Sequence, residues 1–122
     1  MAVIITRHSF DAAHRIIGIK SKCERLHGHT YTLEVHAEGP VKDNGMVMDF
    51  SHVKAIVKEH ILKQLDHNDL NKVLPVNPTA ENIALWILKK LQPLLGLTIR
   101  TIRLWETPNA CVEVSADDLS DL

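Results

Sequence analysis

Residues 27–38 decide the fold: His27-Gly28-His29-Thr30-Tyr31-Thr32-Leu33-Glu34-Val35-His36-Ala37-Glu38. From residue 29 the stretch alternates. His29, Tyr31, Leu33, Val35 and Ala37 fall on one side, and Thr30, Thr32, Glu34, His36 and Glu38 on the other. A period of two over this length is a half-buried strand. Upstream, residues 2–13 are rich in Val, Ile, Thr and Phe and read as a first strand. One of its faces carries Ile4, Thr6, His8, Phe10, Ala12 and then His14. Downstream, Asp43-Asn44-Gly45 predicts a hairpin turn into a short strand from Met46 to Met48. The period then becomes helical. Val53, Ile56, Val57, His60, Ile61 and Gln64 form one stripe, with Asp49 or Ser51 able to cap the start. A second helix follows Asn77-Pro78-Thr79, with Thr79 as its N-cap. It carries Ile83, Ala84, Ile87 and Leu91 and is expected to end before Pro93. Strands at about 98–106 and about 110–115, joined around Thr107-Pro108-Asn109, close the chain.

The order ββααββ predicts an α+β fold, a four-stranded antiparallel sheet with two helices on one face. Such a sheet has exposed edges and little to cover them, so the chain is expected to oligomerise through the sheet. The length of 122 residues predicts one domain, 1–122. Hydrophobic residues make up 45% and charged residues 24%, the balance of a globular domain. The net charge of −1 excludes a polycationic nucleic-acid binder. No apolar run approaches ~18 residues, so no membrane helix is predicted, and no signal-peptide pattern opens the chain. Cys23 and Cys111 are too few for a disulfide scaffold and point to a reducing, cytoplasmic compartment. The acidic tail, 117–121, is expected to fray. The unusual count is histidine: eight, against five glycines and five prolines.

Three of these histidines converge by strand geometry. His27 and His29 lie two apart in an extended chain and project to the same side. If the first two strands pair antiparallel, with 15–26 as the connecting loop, His14 comes close to both. A lone strand-end histidine is ordinarily a polar terminus. Three together, two of them flanking Gly28, favour a metal. Three neutral nitrogen ligands with an open position form the donor set of a catalytic zinc site. Cys23, four residues before His27, offers three readings: a fourth ligand closing a structural site, an inert buried thiol, or a thiolate acting as a base. Its neighbours Arg15, Lys20, Lys22 and Arg25 favour the thiolate, with only Glu24 opposing. In Leu65-Asp66-His67 a carboxylate stands beside an imidazole. This is either an oriented proton-transfer pair or an ordinary helix end. Glu106 shares a strand face with Ile102 and Leu104, so it needs a partner or a ligand's donors; it could also be a strand-end acid reaching water. His36 reads as solvent-facing, His60 as a helix residue, and His8 and His52 as unassigned.

Phe10-Asp11-Ala12-Ala13-His14-Arg15, Cys23-Glu24-Arg25-Leu26-His27-Gly28-His29, Leu65-Asp66-His67, Pro78-Thr79-Ala80-Glu81-Asn82 and Trp105-Glu106-Thr107 together resemble the 6-pyruvoyltetrahydropterin synthase family. The Cys-x3-His-Gly-His spacing is most like its bacterial 6-carboxytetrahydropterin synthase branch, in queuosine biosynthesis. The resemblance implies a tunnelling fold, with subunits forming a trimeric barrel and two trimers stacked as a hexamer. It implies Zn2+ on His14, His27 and His29, and Cys23 as catalytic acid or base. Asp66 and His67 would complete a proton relay across a subunit boundary. Glu106 would grip the pterin edge through both carboxylate oxygens, with Thr79 and Glu81 lining the pterin pocket. The implied substrate is 7,8-dihydroneopterin triphosphate, cleaved to 6-carboxytetrahydropterin, acetaldehyde and triphosphate with zinc as Lewis acid. From charge alone, Arg15, Lys20, Lys22 and Arg25 are candidates for the triphosphate. Pyruvoyl-forming elimination or aldolase-like cleavage is the alternative within the family. A non-catalytic, zinc-stabilised binding module is the alternative of another class.

Overall fold

The computed structural model describes residues 1–95 and 98–119. Strand β1 (Ala2–His14) and strand β2 (His27–Gly39) pair antiparallel without a break, from Ala2 opposite Gly39 to His14 opposite His27. β2 then pairs with β4 (Thr98–Thr107), and β4 with β5 (Ala110–Ser115), both antiparallel. A two-residue strand, β3 (Asn68–Asp69), adds on the far side of β1, parallel to Ala12 and Ala13. The sheet is therefore mixed and five-stranded, in the order β3-β1-β2-β4-β5, rather than four-stranded and antiparallel. Two residues are too short to leave a period in the sequence, which is why β3 was invisible there.

The apolar side of β2 sorts as read. Tyr31, Leu33, Val35 and Ala37 are buried against the helical layer. They meet Val53, Val57, Ile61 and Leu65 from the first helical stretch and Ile83, Ile87, Leu88 and Leu91 from the second. The first stretch is α1 (Phe50–Val57), a π-turn (Lys58–Leu62) and α2 (Lys63–Leu65). Asp49 caps it, accepting from the Ser51 N–H. The π-turn inserts one extra residue and shifts the buried face, so Leu65 is buried where Gln64 was expected, and Gln64 is exposed.

Three further expectations are corrected. Asp43-Asn44-Gly45 does turn, with Gly45 at φ +83° and Gly45 N–H donating to Lys42 at 2.8 Å, but residues 46–48 form no strand. Pro40 has no N–H to offer a partner strand, and the chain runs directly into the Asp49 cap. After a single turn, α3 (Leu70–Val73), the helix α4 (Ala80–Leu95) passes through Pro93 instead of stopping before it. Pro93 stands in the last turn, where it forfeits a single bond to the Lys89 carbonyl, and the buried Leu91 and Leu95 hold that turn down. The acidic tail is ordered as far as Leu119: α5 (Ala116–Leu119) is one turn, the Ser115 N–H donates to Asp118, and Leu119 packs on the core. Residues 120–121 of that tail lie outside the described residues.

Candidate metal centre and its surroundings

The register of β1 and β2 builds the centre. His14 is directly opposite His27, and His29 is opposite Ala12. One nitrogen from each of His14, His27 and His29 lies within 4.8 Å of the others. His14 is 1% exposed. Its Nδ1 is 2.7 Å from the Pro78 carbonyl, and the His27 Nδ1 is 2.7 Å from the Arg25 carbonyl. A carbonyl only accepts, so both Nδ1 atoms carry the proton and donate. In a neutral imidazole this leaves each Nε2 with a bare lone pair. These two Nε2 atoms face each other at 3.1 Å, and two lone pairs make no hydrogen bond. The His29 Nε2 is buried without any hydrogen-bond partner among the described residues. A cation between the three satisfies all of them. Two nitrogens on a tetrahedral zinc stand roughly 3.3 Å apart, close to the spacing seen. The donor set therefore fits a divalent metal, and the backbone carbonyls that fix the tautomers are the expected outer support.

Burial pushes the His14 pKa below its ordinary 6.5, outweighing the Pro78 carbonyl and the Glu106 carboxylate, which pull the other way. The imidazole is thus held in the ligand-competent neutral form. Tyr31 lies beneath it, with its hydroxyl 3.2 Å from His14 Nδ1. Burial, helped by Glu106, keeps the phenol protonated. Tyr31 was read only as a core residue, although it continues the His27–His29 face by one more period.

Glu106 sits at the bulge between Trp105 and Thr107, where β4 has one residue without a partner on β5, and its carboxylate is aimed toward the histidines. Its Oε1 is 3.4 Å from His29 Nε2 and its Oε2 is 4.0 Å from His14 Nε2. Three cavities meet at this carboxylate. One, of about 480 Å3, is walled by Lys22, Cys23, Arg25, His27 and His29. A second, of about 400 Å3, has Thr79, Glu81 and Cys111 in its wall. A third, of about 520 Å3, opens on the helix-free face beside His29 and Trp105.

Cys23 is exposed, on a 3-10 turn (Lys22–Glu24). Its sulfur is not among the atoms converging on the histidine cluster, so the described geometry disfavours a closed four-ligand site and a buried thiol alike. Lys22 and Arg25 share its cavity, but Arg15 is not among the residues walling it, and the basic loop is divided. Arg15 is held instead through its backbone: Asn71 accepts from its N–H at 2.8 Å and donates to its carbonyl at 3.0 Å. Asn77 does the same for Ile17, at 3.0 Å in both directions. These two asparagines fasten the loop 15–26 to the helical layer, a role the sequence reading missed.

Asp66 and His67 form the turn after α2. The Asp66 carboxylate accepts from the Asp11 N–H at 2.9 Å and lies 3.1 Å from His67 Nδ1. The Asp11 bond, followed by His67 and opposed by partial desolvation, holds Asp66 below the usual carboxylate range. His67 has a left-handed backbone, φ 59°, and its N–H donates to the Asp11 carbonyl. The pair is both a helix end and an oriented imidazole. His67 lines a different cavity from Cys23, and His29 borders both. Thr79 caps α4, its hydroxyl accepting from the Asn82 N–H at 3.1 Å. His36, expected in solvent, is buried at 9% exposure with its Nε2 3.1 Å from Glu34.

Known proteins place this architecture. The family model described as 6-pyruvoyl tetrahydropterin synthase matches residues 3–117. A Pyrococcus furiosus protein named dihydroneopterin monophosphate aldolase is 45% identical over 115 residues, covering 93% of this chain and 96% of that one. A Haemophilus influenzae protein named 6-carboxy-5,6,7,8-tetrahydropterin synthase is 38% identical, covering 93% of this chain and 98% of that one, but its alignment extends over 138 positions. The solved Caenorhabditis elegans 6-pyruvoyl tetrahydropterin synthase superposes with a TM-score of 0.85 at 26% identity, covering 94% of this chain and 95% of that one. The chain belongs to the 6-pyruvoyl tetrahydropterin synthase family.

Proposed function

We propose that the protein is a zinc-dependent lyase that converts 7,8-dihydroneopterin triphosphate to 6-carboxytetrahydropterin, acetaldehyde and triphosphate, as its Haemophilus relative is named to make that product. The observation that carries the reading is the meeting of His27, His29, Cys23 and Glu106 around one cavity, with His14 converging on the same two histidines. His14, His27 and His29 hold the metal, which when bound supplies Lewis-acid polarisation of side-chain hydroxyls. Glu106 presents two carboxylate oxygens, the complement of the paired N–H donors on a pterin edge. Thr79 and Glu81, on the second cavity that Glu106 borders, line the pterin pocket. Cys23 takes or returns a proton at the carbon next to the ring, and Lys22 and Arg25 hold phosphate oxygens on the same wall. Arg15 is a further phosphate contact, its guanidinium being free of the backbone bonds that fix the residue. Asp66 orients His67, which supplies the second proton-transfer group. Because His67 lines another cavity, the pair serves a site shared between subunits of a barrel-forming homo-oligomer, a hexamer of two stacked trimers. The setting is cytoplasmic synthesis of queuosine-type 7-deazapurines.

A second reading is aldol cleavage of the monophosphate, leaving a one-carbon arm on the pterin. Two observations favour it: the higher identity to the Pyrococcus aldolase, and an alignment of 115 positions where the Haemophilus protein needs 138 for the same share of this chain. Incubating the zinc-loaded protein with each phosphate separately and identifying products by mass spectrometry decides. The first reading predicts 6-carboxytetrahydropterin with stoichiometric acetaldehyde from the triphosphate. Cleavage of the monophosphate alone contradicts it in favour of the aldolase.

A further inference from the structure

Glu106 leaves the sheet where both neighbouring strands let go of β4. On one side the pairing with β2 ends at Trp105, opposite Thr32. On the other, the bulge leaves Glu106 without a partner on β5. Its carboxylate approaches His29 Nε2 at 3.4 Å and His14 Nε2 at 4.0 Å, and these are the nitrogens assigned to the metal. Neither strand pairing nor a spare donor among the described residues therefore fixes the direction in which it points. The last residue of β4 held from both sides is its neighbour, Trp105, opposite Thr32 on β2 and Cys111 on β5.

Trp105 is tied down through its side chain as well. Its Nε1–H donates to Glu34 Oε2 at 3.1 Å. Glu34 lies on β2 two residues beyond Thr32, so this is a diagonal cross-strand bond on the helix-free face. The Glu34 carboxylate is itself pinned, with its side chain only 12% exposed. Arg7 Nε on β1 stands 3.6 Å from Oε2. Arg103 Nη1 on β4 stands 3.8 Å, and His36 Nε2 3.1 Å, from Oε1. Three strands thus hold one carboxylate, and that carboxylate holds the indole. Stability gives little reason for so sheltered a charge, since apolar side chains of similar volume often serve as well. Position gives a better one. Trp105 and Glu106 wall the same cavity of about 520 Å3, and Glu34 is not among the residues that line it.

We propose that Glu34 is a positioning residue for pterin recognition: by fixing the Trp105 indole it sets the β4 bulge and with it the aim of Glu106. A contact made through both carboxylate oxygens tolerates little rotation, because a turn of the group misaligns two hydrogen bonds at once. A rigid anchor one residue before the bulge supplies that precision without touching the ligand. The inference rests on the preceding reading of Glu106 as the pterin-binding carboxylate and not on which reaction follows.

Titration of the zinc-loaded protein with neopterin, a fluorescent pterin without phosphates, tests it. Glu106→Ala should abolish binding. Glu34→Ala should raise the Kd about tenfold, the scale of one hydrogen bond, with zinc per chain unchanged. Glu34→Gln loses the charge that faces Arg7 and Arg103 but keeps an oxygen for the Trp105 N–H. It should bind neopterin with close to wild-type affinity even where its stability falls. Trp105→Phe, which keeps a ring and loses the N–H, should match Glu34→Ala. The double variant should bind no more weakly than either single one, because both remove the same bond. In turnover, KM should rise in Glu34→Ala while kcat changes little. Wild-type affinity in Glu34→Ala, an equal loss in Glu34→Gln, or additive losses in the double variant each overturns the proposal. If Glu34→Ala does not fold, Trp105→Phe carries the test, and wild-type affinity there overturns it. These outcomes leave the assignment of Glu106 standing. Wild-type binding by Glu106→Ala removes that assignment and the proposal together.

Discussion

A histidine becomes fit to ligate a metal here through its other nitrogen. The Pro78 and Arg25 carbonyls consume the Nδ1 protons of His14 and His27, and that alone bares two Nε2 lone pairs toward each other. The convergence of the three rings was legible, because a period of two aligns His27 with His29 and an antiparallel register brings in His14. The carbonyls were not, since they belong to loops whose path depends on the folded layer. His36 was misread for a related reason: pattern alone places it on the polar face, but Glu34 on the same strand lies close enough to shelter it. Burial, with Lys54 adding for His8, holds both His8 and His14 below their ordinary 6.5. The unfolded chain protonates them near 6.5 and the fold only at lower pH. The unfolded state therefore binds more protons in that window, and stability is lost as pH falls through it. Urea unfolding of the metal-stripped protein at a series of pH values should show declining stability from about pH 7 to about pH 5.5. A flat or rising trend contradicts the burial argument.

At the scale of elements, strands β1, β2, β4 and β5 and both helical stretches were readable, because each is long enough to repeat its period. What escaped was either too short or tertiary in origin. β3 has two residues, and the π-turn displaces the stripe by one position, from Gln64 to Leu65. The helix overran Pro93 because burial of Leu91 and Leu95 contributes about 1.5–3 kcal/mol each, enough to offset one lost backbone bond in a final turn. The loop that carries Cys23 is the case that bears on the proposed reaction. Asn71 and Asn77 each offer an amide that mimics a strand partner, giving the loop paired backbone bonds where no strand exists. Asn77→Ala removes one such pair and keeps the Asn77 carbonyl, which accepts from the Thr79 N–H and the Asn82 amide on the approach to α4. It should speed hydrogen exchange at the Ile17 amide and lower turnover about tenfold, with metal content unchanged. Unaltered exchange at Ile17 would show that the loop is held by other means.

The whole molecule is a sheet with an apolar face covered by helices and a polar face that is not. Its centre sits at one end, where β1 and β2 diverge into the loop and Glu106 bulges from β4. The α+β class, the helix-covered face and the cluster of three histidines all follow from two periodicities and one antiparallel hairpin. The bulge at Glu106 and the division of the basic loop do not, because each depends on how neighbouring elements pack. A metal held by three histidines with a thiol on the cavity wall is built for chemistry; a metal closed by the thiol would be built for stability. Metal content and turnover of Cys23→Ala, measured side by side on one preparation, distinguish the two most directly. The predicted result is wild-type metal per chain with turnover of the dihydroneopterin phosphate reduced at least about 100-fold, the scale of a lost proton-transfer group. Loss of the metal along with the thiol would contradict it, making Cys23 a ligand and the centre structural.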